Sequence, residues 1–425
     1  MRSRQQHSSG FSFKSAGPAD LNFFAINGQS LAMGTMSGGI SEPILSSTPS
    51  ATHKMFVDGV RSQVDYPSDS YNVAYASLSP LVEQLCPSDN TVGETPCSGA
   101  AQMVSQLVAA ENPGAPTHRL HMSAVGRGGN NISQFVAGTV NYARLTQQIQ
   151  YSRVLANGLG WSFAAQAQGW IQGEDDIVLL TPRATYSSSL QALATSLNTD
   201  ARINGLQSFG PLTLVAQIAS HLYAGIATPT IAMAQSDSAA ALPSIIHMAC
   251  AMYQLEYIPG KEWHLNNSSS KWLGAYLGLA YKRLVYDGAT SWAALSPQSC
   301  TRSGSTITLT FNPVGQLVFD RSWVTAIANE GFQAYQADGT TPLTINSVSI
   351  SGTNAVNIVC STSIPANAVV NYAWQGTVGQ TGPGRVTGAR GTLRDSQGDS
   401  IVFDPSGINM PMHNWCLIFS KTVTN

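Results

Sequence analysis

Charged side chains are scarce in this chain, and those that occur are not clustered. Asp, Glu, Lys and Arg make up 10% of the 425 residues, against about a quarter in an average globular protein. The 21 basic and 23 acidic residues give a net charge of -2. No run of Lys or Arg forms the footprint that nucleic acid or anionic lipid requires. We therefore expect no nucleic-acid partner, and a neutral ligand such as a glycan suits this surface better.

Long apolar runs and metal-binding patterns are also missing. No window reaches the roughly eighteen uninterrupted apolar residues of a membrane span, and residues 1–14 lack the apolar stretch of a secretion signal. We expect a soluble protein without a signal peptide. The six cysteines form no CxxC pair and have no clustered histidines beside them, so we expect no metal and no cofactor. Cys86 and Cys97 bracket a short loop, and two states stay open for them: a local disulfide or two reduced thiols.

Two patterns follow each other along the chain, whose length predicts more than one domain. From about residue 20 to 287, strand-like apolar runs alternate with segments of helical period, which indicates an α/β layered domain. The predicted strands are 22–26, 119–125, part of 160–171 and 212–219, and the predicted helices are 100–111, 140–155, 186–203, 239–254 and 271–286. From 288 onward, short β-rich runs separated by Gly, Pro, Asn and Asp predict a β-sandwich at 288–425. Residues 1–19 are expected to form an N-terminal arm.

A serine follows the first predicted strand. Apolar residues run into the turn Asn27-Gly28-Gln29-Ser30. Gly28 permits a tight turn, and a nucleophilic serine needs this position, where its own N–H can face a developing oxyanion. A serine after a strand is ordinarily a helix cap or turn residue, and that interpretation stays open.

Two more predicted strands end in polar loops, and one histidine stands out. The glycine-rich stretch 126–131 can supply an oxyanion N–H or be a plain turn, and the run 172–176 brings an amide and three acids. Because open α/β sheets bind ligands outside the carboxyl ends of their strands, these loops predict one site with Ser30. His264 stands directly before the last helical pattern of this region and is the candidate base.

These motifs together resemble those of a known family. In chain order they are Gly28-Gln29-Ser30, Gly128-Gly129-Asn130, the run Trp170-Ile171-Gln172-Gly173-Glu174-Asp175-Asp176, and His264-Leu265. They are similar to the sialate O-acetylesterase-like branch of the SGNH (GDSL) hydrolases, which includes carbohydrate acetylesterases. The resemblance covers about residues 20–287. It implies a three-layer α/β/α SGNH-hydrolase domain with a parallel sheet, and removal of O-acetyl groups from a carbohydrate.

The resemblance also implies a nucleophile and a base. Ser30 would attack the acetyl carbonyl, and His264 would take its proton and return it to the sugar hydroxyl. The family usually has an aspartate three residues before the histidine to orient it, and Lys261 stands there instead. Three orienters stay open: Glu262, Glu174, or a backbone carbonyl beside a Ser-His dyad.

The oxyanion hole and the substrate contacts follow from the same resemblance. The donors would be the N–H of Ser30, a backbone N–H at Gly128 with Gly126 as its rival, and the side-chain amide of Gln172 or Asn130. The residues expected to contact the substrate are Gln29, Asn130 and Asp176.

The C-terminal stretch 391–396 resembles part of the accessory β-domain that follows the esterase domain in some bacterial and bacteriophage tail proteins. This implies a homotrimer, virion tail components as partners, and a location in the tail or outside the cell by a non-classical route. Two other functions stay open. One is a non-catalytic glycan-binding or virion-attachment protein on the hydrolase scaffold, which Lys261 favours. The other is a lipase or thioesterase, against which the polar Gln172 and Asn130 argue.

Overall fold

A seven-stranded sheet forms the centre of the first part of the chain. The computed structural model describes residues 19–35, 43–61, 75–85, 92–258, 263–289, 292–380, 382–404 and 407–425. The strands of the sheet are β1 (Leu21–Gly28), β2 (Lys54–Phe56), β3 (Leu78–Pro80), β4 (Leu120–Ala124), β5 (Phe163–Ile171), β6 (Leu212–Gln217) and β7 (Ile246–Ala251). Their order is β3-β2-β4-β1-β5-β6-β7, and every neighbouring pair is parallel except β2 with β3. Their carboxyl ends therefore share one edge.

Helices cover this sheet in two groups. They are α1 (Pro96–Glu111), α2 (Val140–Gly158), α3 (Glu174–Val178), α4 (Arg183–Gly205), α5 (Thr230–Ala241) and α6 (Asn267–Tyr281), with a π-helical turn at Lys282–Tyr286. Helices α1 and α6 pack together, α4 packs on α2 and α5, and both groups contact the sheet. The predicted α/β class with a helix-flanked, mainly parallel sheet is confirmed.

Glycines bring α1 and α6 unusually close, and this fixes where α6 begins. A Cβ added at Gly99 would lie 2.0 Å from the Lys271 carbonyl oxygen, and one at Gly274 would lie 2.0 Å from that of Pro96. Close backbone approach of this kind is possible only for residues without a side chain. The amino-terminal half of α6, which begins at Asn267 soon after His264, is thereby held against α1.

One predicted helix is wrong. The segment 239–254 contains the end of α5 and then strand β7. Residues 248–251 are buried on both faces of the sheet, and a strand of this kind reads as a continuous apolar run. Such a run cannot be distinguished from a buried helix by periodicity.

The rest of the chain is dominated by antiparallel sheets. Its elements are β8 (Pro297–Ser303), β9 (Thr306–Phe311), β10 (Leu317–Phe319), β11 (Phe332–Tyr335), β12 (Pro342–Leu343), β13 (Ile345–Ser351), β14 (Ala355–Cys360), β15 (Val369–Tyr372), α7 (Gly384–Thr387), β16 (Leu393–Asp395), β17 (Val402–Phe403), β18 (Met410–Pro411) and β19 (Phe419–Thr422). Four-stranded sheets have the orders β13-β14-β9-β8 and β12-β11-β15-β19, and β10-β16 and β17-β18 form pairs. Buried and partly buried residues alternate along β9 and β14, as in sheets with one face on a core.

The antiparallel region shares a core with the α/β part. The Gln217 side chain accepts from the Ile418 N–H at 2.7 Å and donates to the Ile418 carbonyl at 3.0 Å. The Tyr253 hydroxyl donates to the Cys416 carbonyl at 2.7 Å. The predicted division at residue 288 stays a prediction.

Two smaller findings complete the fold. Within the described ranges, no helix is both long and apolar enough to cross a membrane. Cys97 is buried with a free thiol, whereas Cys86 lies outside the described residues.

Candidate active site

Ser30 lies where β1 ends at the carboxyl edge of the sheet. Gly28 has φ +137°, and a Cβ there would lie 2.0 Å from the Ile171 carbonyl oxygen, so the turn requires glycine. Ser30 then begins a short 3-10 helix, Ser30–Met33, which ends at Gly34 in the left-handed conformation. The strand and the glycine turn place the serine hydroxyl above the sheet edge.

His264 meets this serine from the other side of the site. Its Nε2 lies 3.0 Å from the Ser30 Oγ, although the two residues are 234 positions apart. Each residue is 8% exposed. This distance falls within the range of about 2.6–3.2 Å that proton transfer between a nucleophile and its base requires. The structure therefore brings together the predicted nucleophile and the predicted base.

The glycine-rich loop after β4, called here the Asn130 loop, lies beside the turn Asn27-Gly28-Gln29-Ser30, called here the nucleophile turn. The Val125 N–H donates to the Ile26 carbonyl and the Arg127 N–H donates to the Gly28 carbonyl, both at 2.8 Å. A Cβ at Gly126 would lie 2.5 Å from the Gly28 carbonyl oxygen, so this residue contacts the nucleophile turn directly.

Three backbone donors of the predicted oxyanion hole are available. Within the described residues, the N–H groups of Ser30, Gly126 and Gly128 make no hydrogen bond. Gly126 is buried and Gly128 is half-buried. Each N–H keeps its capacity for a ligand, so the choice between the two glycines stays a prediction.

Gln172 has a different environment from the one expected. Its amide nitrogen donates to the Asn130 carbonyl at 3.2 Å and to Asp176 Oδ2 at 2.5 Å, and its Oε1 accepts from the Tyr186 hydroxyl at 2.8 Å. The residue is fully buried. Because both amide N–H groups are already used, Gln172 holds the Asn130 loop and is not free to donate to an oxyanion. Tyr186, which no sequence signal indicated, supports it from α4.

Asp176 likewise supports the loop. It is 1% exposed. Its Oδ2 also accepts from the Ile132 N–H at 2.8 Å, and its Oδ1 accepts from the Thr181 hydroxyl at 2.7 Å. Asp176 therefore makes three hydrogen bonds within the protein and holds the loop, and the substrate contact expected for it stays a prediction.

Gln29 and Asn130, both expected to contact the substrate, have different environments. The Gln29 side chain is 3% exposed, and its Oε1 accepts from the Gly173 N–H at 3.2 Å. Gln29 therefore links the nucleophile turn to the loop after β5. The Asn130 side chain is half-buried and makes no hydrogen bond within the described residues. Asn130 is thus the amide that keeps free donors.

The structure describes only one of the two candidate acids that could orient His264. Glu174 Oε1 accepts from the Ser220 hydroxyl at 3.5 Å, and the described residues contain no hydrogen bond from Glu174 to His264. Burial raises the pKa of Glu174 to about 7, and the nearby Asp176 adds to this. Among the described residues Glu174 therefore makes no hydrogen bond to the base, and its role as the orienting acid stays a prediction. Lys261 and Glu262 lie outside the described residues.

A row of buried polar side chains crosses the sheet below the site. Asn27 on β1 donates to Gln168 Oε1 on β5 at 3.1 Å, and Gln168 donates to the Thr213 hydroxyl on β6 at 3.0 Å. The Asn27 Oδ1 also accepts from the Gly28 N–H at 2.9 Å. Sequence reasoning missed this row, although polar residues inside otherwise apolar strands were its signal.

An aromatic pair includes the residue next to the base in the chain. Trp263 directly precedes His264 and makes an edge-to-face contact with Tyr223, with 4.8 Å between ring centroids. Both side chains are half-buried. The two rings form a partly exposed aromatic pair at the residue that precedes the base in the chain.

The architecture built around this edge is shared with a solved structure. No protein-family model matches the chain, and no curated protein matches it. A carbohydrate acetylesterase from Xanthomonas citri aligns with a TM-score of 0.57 at 14% identity, over 94% of this chain and 80% of that one. At this identity the likeness establishes a common fold, and its coverage extends it into the antiparallel region.

Two further structures align over a smaller part of the chain. A protein from Arabidopsis thaliana has a TM-score of 0.45 at 16% identity, over 62% of this chain and 98% of that one. A carbohydrate acetylesterase from Sinorhizobium meliloti has a TM-score of 0.35 at 12% identity, over 62% and 99%.

Proposed function

We propose that the chain is a carbohydrate O-acetylesterase that works through an acetyl-Ser30 intermediate. The observation that carries the proposal is the 3.0 Å contact between Ser30 Oγ and His264 Nε2. The fold shared with the Xanthomonas citri acetylesterase supports the same chemistry. The predicted virion-tail location and homotrimer stay predictions from the sequence.

The reaction follows from the positions of these groups. Ser30 Oγ attacks the acetyl carbonyl carbon while its proton moves to His264 Nε2, and backbone N–H groups stabilise the oxyanion. The bond from the carbonyl carbon to the sugar oxygen then breaks, and His264 returns the proton to that oxygen. Water, deprotonated by His264, attacks the carbonyl carbon of the acetyl-serine. The bond from that carbon to Ser30 Oγ then breaks, His264 returns the proton to Oγ, and acetate leaves.

Three features favour a small acyl group on a neutral sugar. Trp263 precedes the base in the chain and forms a half-buried pair with Tyr223, and an aromatic face of this kind can pack on a sugar ring. The Asn130 side chain keeps its amide donors for a hydroxyl or a carbonyl. Charged residues make up only 10% of the chain, which suits an uncharged ligand.

The test is acetate release from p-nitrophenyl acetate and from an O-acetylated polysaccharide. We expect Ser30→Ala and His264→Ala to lose nearly all activity on both substrates, whereas a p-nitrophenyl ester of a long fatty acid is a poor substrate of the wild type. Equal activity of Ser30→Ala and wild type would contradict the proposal. Binding of the polysaccharide by the wild type without acetate release would favour the non-catalytic alternative.

The chain offers a matched control in a second serine-histidine contact. The His53 Nε2 lies 2.7 Å from the Ser105 Oγ. The Leu120 N–H donates to His53 Nδ1 at 3.2 Å, so the neutral ring carries its proton on Nε2 and donates to the serine. This histidine cannot accept the Ser105 proton, and Ser105→Ala should keep wild-type activity.

A further inference from the structure

The position of His264 depends on a hairpin that we define by the paired segments 254–258 and 263–266, called here the His264 hairpin. Tyr257 and Leu265 form an antiparallel bridge, and the Ile258 N–H donates to the His264 carbonyl at 2.8 Å. The backbone of the base is therefore fixed by the segment 254–258, and whatever holds that segment also holds His264.

A side chain of the antiparallel region binds this segment. The Arg385 Nε donates to Glu256 Oε1 at 3.0 Å, and its second terminal nitrogen pairs with the same oxygen. Glu256 Oε2 accepts from Asn266 Nδ2 at 3.3 Å. Glu256 thus connects Arg385 to Asn266, two residues after the base. Asn266 also caps α6, because its Oδ1 accepts from the Ser269 N–H at 2.7 Å.

Arg385 is itself held in place by Trp323. Its guanidinium lies 4.3 Å from the Trp323 ring centroid, and one terminal nitrogen donates to the Trp323 carbonyl at 2.8 Å. The Trp323 indole N–H donates to the Gln254 carbonyl at 2.9 Å, at the start of the hairpin. Both side chains from the antiparallel region therefore reach the same short segment.

The backbone beside Arg385 is packed equally closely against the hairpin. Gly384 has φ +82°, and a Cβ there would lie 2.8 Å from the Tyr257 ring and 2.9 Å from the Leu255 carbonyl oxygen. The fit leaves no room for the turn at 384–385 to shift while the hairpin stays in place. The two segments form one packed unit.

We propose that Arg385 is a positioning residue of the active site, which acts through Glu256 and Asn266 to hold the His264 hairpin at Ser30. This inference rests on the proposed function, since it assigns a role toward the Ser30-His264 pair. The antiparallel region then completes the catalytic centre in addition to any role in binding. The side chains of Arg385 and Glu256 are 25% and 40% exposed, and pairs this exposed contribute little to global stability. Their effect is expected on geometry.

The experiment compares Arg385→Ala, Arg385→Lys and Arg321→Ala in the full chain, with p-nitrophenyl acetate as the substrate. Arg321 pairs with Glu330 in the same region and is 58% exposed, which makes it the matched control. We expect Arg385→Ala to lower kcat by about tenfold to a hundredfold, since a small misplacement of a catalytic group has effects of this size. KM and Tm should stay near wild type. Arg385→Lys should recover part of kcat, added guanidinium should partly rescue Arg385→Ala, and Arg321→Ala should behave as wild type.

A second readout separates this inference from the proposed function. The imidazole NMR signals of His264, assigned by their loss in His264→Gln, should shift in Arg385→Ala and not in Arg321→Ala, whether or not the wild type turns over substrate. A wild type without turnover would contradict the proposed function, and the His264 signals would still decide the positioning role. Unchanged kcat and unchanged His264 signals in Arg385→Ala would overturn the inference. So would a kcat loss that only follows a fall in Tm and is not rescued by guanidinium.

Discussion

Replacing Glu174 with glutamine should change how the stability of the protein depends on pH. Glu174 is 1% exposed, Ser220 is its single hydrogen-bond donor apart from its own backbone, and its Oε2 has no partner within the described residues. Burial raises its pKa from the ordinary 4.5 to about 7. Between about pH 4.5 and about pH 7, Glu174 keeps its proton in the folded protein and has lost it in the unfolded chain. The free energy of unfolding therefore falls as the pH rises through this range.

The size of the effect follows from the same pKa change. At about 1.4 kcal/mol for each pH unit, the interval corresponds to about 3 kcal/mol. This stability is fully present below about pH 4.5 and is lost as the pH passes through about 7. A glutamine keeps the shape of the side chain, carries no charge at any pH, and should not show this loss.

Urea unfolding of wild type and Glu174→Gln from about pH 4.5 to about pH 8 measures the difference. Both proteins contain the buried His118 and His121, whose pKa values burial lowers to about 4 and about 3, so the contributions of these histidines cancel. Asp404→Asn, which removes an exposed carboxylate, controls for the loss of one negative charge. We expect the glutamine variant to gain about 3 kcal/mol relative to wild type across this range. Parallel curves for the two proteins would refute the argument from burial.

Two other variants test the support of the site and its surface. Asp176→Ala leaves three donors unpaired, from Ile132, Gln172 and Thr181. It should lower the free energy of unfolding by about 3–5 kcal/mol in urea titrations. A loss below about 1 kcal/mol would show that the loop does not depend on the Asp176 carboxylate. Trp263→Ala should raise KM for an O-acetylated polysaccharide several-fold and leave KM for p-nitrophenyl acetate unchanged, because only the larger substrate is expected to reach the Trp263-Tyr223 pair. Equal changes of KM on both substrates would contradict a sugar-packing role.

The arrangement of the sheet could be predicted from the sequence where local patterns are strong. The strands β1, β4, β5 and β6 follow the apolar runs, and α1, α2, α4 and α6 follow the helical period. Strand β7 was missed because both of its faces are buried, which removes the alternation that identifies a strand. The short β2 and β3, of three residues each, are below the length at which a pattern can be recognised.

The candidate site shows a different limit of sequence reasoning. The pairing of Ser30 with His264 was anticipated, because a parallel sheet collects its loops at one edge whatever their distance along the chain. The hydrogen bonds of Gln172 and Asp176 within the protein were not anticipated. The sequence around a polar residue at a strand end does not show whether other protein groups already use its donors and acceptors. That question depends on Tyr186, Ile132 and Thr181, which lie on other elements.

The nucleophile and the base are held by different parts of the structure. The nucleophile turn is held from within the sheet, by the Asn27-Gln168-Thr213 row and by the contact of Gly28 with Ile171. The His264 hairpin follows the edge strand β7. The Gln254 side chain donates to the Ala251 carbonyl on β7 at 2.7 Å, and the Glu256 N–H donates to the Ser269 hydroxyl on α6 at 2.9 Å. Its contacts also include Trp323 and Arg385, which follow position 288 and are separated from the hairpin along the chain by the whole of α6. The serine and the histidine therefore reach their 3.0 Å contact from two separately held segments, and the positioning role proposed for Arg385 makes the segment of the histidine depend in part on the antiparallel region.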